Sequence, residues 1–191
     1  VSTVEDAVKM KTTMDTEDFL FAAERNGNIV SGFDLGNSPL LYDRKKFNGI
    51  SLAITTTNGT NAIEKSKNAG NGILLASFLN ASAVAEYIIS SDKSDILIVC
   101  SGWKSRFCVE DALLAGLLSK KLLKNDMFYS NSDSVFMSQN LYDSAQNNLS
   151  NFLLKSSYRQ RMDLEEDINY CLQIDIMNCV PIWSKLQSIK K

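Results

Sequence analysis

The sequence contains no histidine. That absence removes the Ser-His-Asp triad, a histidine general base, a phosphohistidine intermediate and the usual histidine-bound metal site. Chemistry is left to carboxylates, hydroxyls, thiols, Lys, Arg or a hard cation, and an oxygen-rich donor set favours Mg²⁺ or Mn²⁺ over zinc. Positive charge is not in excess either. The 20 Lys and Arg stand against 22 Asp and Glu with no basic stripe, which argues against nucleic acid as a partner. No apolar run approaches the roughly 20 residues of a membrane span. Val1 to Lys11 is mixed and amphipathic, unlike a signal peptide, so no membrane partner and a cytoplasmic location are expected. No GxGxxG follows a strand and no GxxxxGK[ST] occurs, which takes away the usual warrant for nicotinamide and P-loop nucleotide sites. Cys100, Cys108, Cys171 and Cys179 lack the close spacing of a zinc knuckle or a thioredoxin-type motif, so most are expected to be small core residues in a reducing compartment.

What is present suits an α/β protein. The chain has 191 residues, 45% of them hydrophobic, enough for one sizeable core, so a single domain over 1–191 is expected. Val4, Ala7, Val8 and Met10 share one face of a short helix that Thr3 caps. Phe19 to Ala23 reads as a strand with a charged tip at Glu24 and Arg25. Asn26-Gly27-Asn28 then turns the chain into Ile29-Val30. Gly32 to Tyr42 is loop chemistry around Asp34.

Three strand–loop–helix units follow. Ile50 to Ile54 leads to a helix over Ala62 to Asn68, Gly72 to Ala76 to one over Ala81 to Ser90, and Asp95 to Val99 to one over Val109 to Leu123. A recurrence of about 22 residues fits βαβ units, a three-layer α/β/α sandwich and a largely parallel or mixed sheet whose loops gather at the strands' carboxyl ends. Asn125 to Gln139 reads as an irregular connection or lid, Leu141 to Lys155 as a helix, and Met162 to Leu172 as another with Glu165, Glu166 and Asp167 at its start. Val180-Pro181-Ile182-Trp183 suits an edge strand.

Two loops carry most of the candidate chemistry. Thr55, Thr56, Thr57, Asn58, Gly59 and Thr60 follow the apolar run from Ile50 and precede a helix. Short hydroxyl and amide groups, an approachable glycine backbone and a helix N-terminus suit a phosphate group. Cys100-Ser101-Gly102-Trp103-Lys104-Ser105-Arg106 has the C-x5-R spacing of cysteine-dependent phosphatases, although Phe107 follows the arginine and no histidine precedes the cysteine. Arg106 can grip phosphate or sulfonate oxygens with two parallel donors, or pair with Glu110 or Asp111 on the surface. Asn80 and Ser82 are either a helix cap or ligand donors.

Taken in order, these motifs resemble the 2-phosphosulfolactate phosphatases. The resemblance is carried by Ala23-Glu24-Arg25-Asn26-Gly27, Gly32-Phe33-Asp34-Leu35-Gly36-Asn37-Ser38-Pro39 and Thr55 to Thr60. Asn80 to Ala85, Cys100-Ser101-Gly102 with Arg106-Phe107, Glu110-Asp111, Asp167 to Cys171, Asp175 and Val180-Pro181 continue it. It implies Mg²⁺-dependent hydrolysis of a phosphate ester on a three-carbon sulfonate, giving sulfolactate and phosphate in coenzyme M biosynthesis. Under it Glu24, Asp34, Glu110 and Asp111 are the candidate metal ligands and catalytic acids. Arg25, Asn37, Ser38, Thr56, Thr57, Asn58, Gly59, Thr60, Asn80, Ser82, Ser101, Gly102 and Arg106 are the candidate substrate contacts. The partner is a small phosphorylated sulfonate or carboxylate, and homo-oligomerisation is left open. Family members carry a strand and an Asp-x-x-Arg-Ala-(Ser/Thr) segment ahead of the part that begins here at Val1, so that strand is expected to be missing from this sequence. Two competing expectations stand beside this one: a metal-free mechanism with Cys100 as nucleophile and Arg106 as its partner, and a non-catalytic phosphate or sulfonate binding module.

Overall fold

The computed structural model describes residues 1, 3–13, 19–25, 28–42, 45–68, 72–91, 95–157 and 165–183. They form an α/β protein in two compact units, Val1–Lys65 and Ser66–Lys191.

In the first unit, α1 (Val4–Thr13) starts where the N–H of Asp6 donates to Thr3 Oγ1 at 3.0 Å, which is the expected cap. β1 (Phe19–Arg25) lies between β2 (Asn28–Ile29), antiparallel to it, and β3 (Ser51–Thr55), parallel to it. The turn expected at Asn26-Gly27 lies outside the described residues. The register pairs Phe21 with Ala53 and Ala23 with Thr55, and all four are buried together with Ala7 of α1. Parallel partners project to the same side, so this alternation fixes which face of the sheet is covered. β3 runs out at Thr55 and α2 (Gly59–Ser66) begins four residues later, slightly earlier than the sequence pattern suggests.

The second unit is mainly helical. β4 (Ile73–Leu74) pairs antiparallel with β5 (Ile182–Trp183), the edge strand expected after Pro181. Between them run α3 (Ala81–Ser90), α4 (Val109–Leu122), α5 (Asp133–Ala145), α6 (Leu149–Leu153) and α7 (Glu165–Cys171). The core interleaves Phe78, Ala81, Val84 and Ile88 with Leu113, Leu117 and Leu122 of α4, Tyr142 of α5, and Leu149 and Leu153 of α6. Most of α4 is buried, which is why its sequence is apolar nearly all round.

Five expectations are corrected. Asn125 to Gln139 is not irregular throughout, since α5 begins at Asp133, and the helix expected over Leu141 to Lys155 is broken between Ala145 and Leu149. The strand expected at Asp95 to Val99 makes no ladder among the described residues, although Ile96 and Ile98 pack on the core while Leu97 and Val99 are exposed. The parallel arrangement expected of all three units is seen for β1 and β3, whereas β4 is antiparallel to its partner. Cys171 and Cys179 are exposed rather than in the core. The start of the helix expected from Met162 lies outside the described residues.

Candidate active site

The first unit places its two candidate acids on the sheet margin. The Asp34 carboxylate accepts from the Phe21 N–H at 2.9 Å, while Phe21 O accepts from the Asp34 N–H at 2.9 Å, so the acid completes the exposed flank of β1. Lys11 reaches the same carboxylate at 3.6 Å and donates to Gly32 O at 2.8 Å. Glu24 accepts from Asn37 Nδ2 at 3.3 Å, and Arg25 folds back to donate to Glu24 O at 2.7 Å. Ser38 precedes Pro39, which opens a short 3₁₀ turn.

The threonine-rich loop is braced from within. Thr56 Oγ1 accepts from the Thr60 N–H at 3.1 Å, and Thr60 Oγ1 donates to Thr56 O at 2.6 Å. These two bonds close the open end of α2, leaving Thr57 exposed at the turn and Gly59 where a Cβ would press on Thr56 Oγ1 at 3.2 Å. Thr55, at the root of the turn, has 0% exposure, and among the described residues its hydroxyl has no hydrogen-bond partner. An unpaired buried hydroxyl costs about 1–3 kcal/mol, which singles it out among the polar groups of this unit.

In the second unit Asn80 is 4% exposed and its amide is fully engaged. Oδ1 accepts from the Ser77 N–H at 2.8 Å and Ser77 Oγ at 3.1 Å, and Nδ2 donates to Leu75 O at 3.2 Å and Cys179 O at 3.0 Å. It stitches three segments together and has no donor left for an anion. Ser82 meets Asp175, whose two oxygens accept from the Ser82 N–H and Oγ, each at 2.6 Å. Lys121 adds 2.7 Å to Ser82 Oγ and 3.1 Å to Asp175. Burial alone would raise the Asp175 carboxyl, but the Ser82 and Lys121 hydrogen bonds outweigh it and hold it below the usual carboxylate range. Such an acid is a poor base, so the cluster works as a helix cap supplied from far along the chain.

The loop after Cys100 is not a phosphate-binding cradle. Trp103 and Arg106 exchange both backbone bonds, at 3.1 and 3.0 Å, around Lys104 and Ser105, whose φ values are 50° and 59°. This is a two-residue hairpin turn with both central residues left-handed, the geometry that Asn-Gly normally supplies. Neither residue here is glycine, and left-handed geometry costs about 1–2 kcal/mol at each. A Cβ on Gly102 would lie 2.6 Å from Arg106 O, so only glycine fits there. Burial and Asp111 push the Cys100 thiol up, opposite to what a thiolate nucleophile needs.

The acids at the start of α4 hold loops. Asp111 Oδ2 accepts from the Gly102 N–H at 2.7 Å and from Ser101 Oγ at 3.3 Å. Glu110 uses one oxygen for Cys108 Sγ at 2.8 Å and the other for Ser156 Oγ at 2.7 Å. Burial and this carboxylate push the Cys108 thiol up to about 12. The surface pairing of Arg106 with either acid, the alternative to anion binding, is not made, and its guanidinium has no hydrogen bond or ion pair among the described residues.

Among the described residues no three Cys, Asp or Glu gather as a closed metal site. The donor chemistry fits Mg²⁺ only in its common manner, one or two carboxylates with water and substrate oxygens completing the shell. Lys121, Asp175 and Ser156 are contacts of candidate residues that sequence reasoning missed. All three act on partners 39 to 93 residues away, beyond any local signal. Thr55 belongs to the threonine-rich run that the sequence singles out, and it stands on the same face of β3 as buried Ala53.

A parallel strand pair that empties into a threonine-rich turn in the first unit, and a cationic hairpin tip in the mainly helical second unit, define an α/β protein with its polar loops at strand ends and helix starts. More narrowly, the chain belongs to the 2-phosphosulpholactate phosphatase family, a family of phosphoric monoester hydrolases, whose model matches residues 1–185. It is 40% identical over 184 residues to a probable 2-phosphosulfolactate phosphatase of Thermotoga petrophila, covering 95% of this chain and 76% of the relative. Probable 2-phosphosulfolactate phosphatases of Caldanaerobacter subterraneus and Trichormus variabilis are 39% and 32% identical, with 95% of this chain and 75% and 76% of each relative covered. No helix among the described residues is long and apolar enough to cross a membrane.

Proposed function

We propose that the chain hydrolyses the phosphate ester of 2-phosphosulfolactate, or of a closely related small phosphorylated acid, releasing sulfolactate and phosphate, with Mg²⁺ as cofactor. The family supports the reaction class, and the observation that carries the site is the Thr56–Thr60 turn with the orphaned Thr55 hydroxyl at its root. Thr57, Asn58 and Gly59 hold the phosphate group against the start of α2, where backbone N–H groups and the helix dipole favour an anion. Thr55 supplies a donor that has no other use in the described structure. In the second unit the exposed Arg106 offers two parallel N–H groups to an anionic oxygen. Glu24 and Asp34 would hold Mg²⁺, which neutralises phosphate charge when bound. The raised thiol of Cys100 gives the cysteine mechanism no support.

The protein, incubated with 2-phosphosulfolactate and Mg²⁺, is expected to release inorganic phosphate, and excess EDTA to abolish that release. Undiminished turnover in EDTA would remove the metal, and binding without hydrolysis by the protein at its full natural length would leave a binding module. A second expectation concerns Thr55→Val, which replaces the unpaired hydroxyl by a methyl group of similar size. It should stabilise the fold by roughly 1 kcal/mol while cutting kcat/KM about tenfold or more. A variant equally stable and fully active would remove Thr55 from the site.

A further inference from the structure

We propose that Asp111 is a positioning residue. Through Gly102 it holds the Trp103–Arg106 turn in its left-handed form, and so presents the Arg106 guanidinium to an anionic group of the substrate. The proposal rests on the phosphoester reading above and adds a role that the metal-ligand expectation for Asp111 did not contain.

Three observations converge. First, the turn does not favour its own geometry: φ is 50° at Lys104 and 59° at Ser105, positions where asparagine and glycine are the usual occupants. Something outside the turn has to hold it. Second, the carboxylate of Asp111 takes the Gly102 N–H at 2.7 Å and the Ser101 hydroxyl at 3.3 Å, immediately before the turn. Asp111 stands in the first turn of α4, whose next residues Ala112 and Leu113 are buried, so the anchor is attached to the core. Gly102 in turn lies so close to Arg106 that an added Cβ would sit 2.6 Å from Arg106 O, and moving Gly102 therefore moves Arg106. Third, Glu110 and Asp111 have their hydrogen bonds elsewhere, which leaves the guanidinium exposed and without an ion pair among the described residues. Fixing an arginine before its ligand arrives reduces the ordering cost of binding.

A backbone-accepting anchor and a metal ligand respond differently to substitution. Asp111→Asn keeps an oxygen that can accept from Gly102, whereas Asp111→Ala keeps none. With 2-phosphosulfolactate, D111A is expected to raise KM about tenfold with kcat within about threefold, and D111N to recover most of that loss. Ser105→Gly relaxes the turn and should restore the KM of D111A when combined with it. The double variant D111A/R106Q should be no worse than R106Q, because both changes remove one function. Folding is checked by amide exchange in the body of α4, and the turn by exchange of the Arg106 N–H, expected to quicken at least tenfold in D111A and to slow again in D111A/S105G. A D111N enzyme as crippled in kcat as D111A, or an Arg106 amide unchanged in D111A, overturns the proposal. Should the wild type release no phosphate, the phosphoester reading fails by itself. Inorganic phosphate titrated against the Arg106 side-chain N–H signal then replaces KM, and equal affinity in wild type and D111A overturns the positioning role.

Discussion

Gly116→Ala is expected to cost about 3 kcal/mol or more, the size associated with severe overpacking of a core. Helix propensity alone points the other way, since alanine in a helix interior is worth about 1 kcal/mol over glycine. Sterics decide it: a Cβ at Gly116 would stand 2.1 Å from Ser138 O and 2.8 Å from Tyr142 Cβ. The first of these is a backbone atom of α5, so no side-chain rotation relieves it, and the two helices have to move apart. Separation would loosen the seam between Leu113 and Leu117 on one side and Tyr142 and Ala145 on the other. Chemical denaturation with far-UV detection gives the change, and Ala115→Gly, losing about 1 kcal/mol by propensity, is the control. A Gly116→Ala protein as stable as wild type would mean that α4 and α5 do not approach this closely in solution.

The same contact explains what the sequence conceals about α5. Ser134, Gln139, Asn140 and Ser144 make its pattern polar, and only Tyr142 and Ala145 are buried. A short helix with so narrow an apolar stripe is held by packing on its neighbour rather than by its own propensity, and that neighbour's glycine is the signal. Local rules were sufficient elsewhere. Thr3 caps α1, α3 runs from Ala81 to Ser90 as its apolar spacing requires, and Pro181 leads into an edge strand. At Asp95 to Val99 the alternation is real, with Ile96 and Ile98 against the core, but alternation says nothing about whether a neighbouring strand is present to pair with.

For the candidate site, residue types were legible and their tasks were not. A carboxylate reads the same in sequence whether it faces a cation or an N–H group. Asp34 serves Phe21, thirteen residues back, Glu110 serves Ser156, and Asp175 caps a helix that starts at Ala81. The Thr55–Thr60 segment was legible as a strand end, a turn and a helix start because these are contiguous in the chain. The C-x5-R spacing failed for a physical reason as well. Positive φ at Lys104 and Ser105 folds those residues into a hairpin, while a cradle needs successive N–H groups turned inward.

Asn80 separates structural from ligand-binding use most sharply. Its replacement by alanine should cost about 3–5 kcal/mol, since it strands the Ser77 N–H and the Leu75 and Cys179 carbonyls in a region where the side chain is 4% exposed. Asn80→Asp is the more informative change. Its oxygens can still accept from Ser77, but a carboxylate in place of Nδ2 confronts two carbonyl oxygens, so the folded state favours the protonated acid and the carboxyl's pKa rises on folding. A group raised in the folded state contributes its stability below its unfolded value, near 3.9, and loses it as pH rises through the folded value. The N80D protein should therefore approach wild-type stability near pH 4 and fall behind it steadily toward pH 8, as thermal melts across that range would register. An anion-gripping Asn80 makes the opposite forecast: melting temperatures close to wild type at every pH, and substrate binding lost because a negative charge now faces the phosphate. A flat stability profile for N80D, together with lost binding, would return Asn80 to the substrate site.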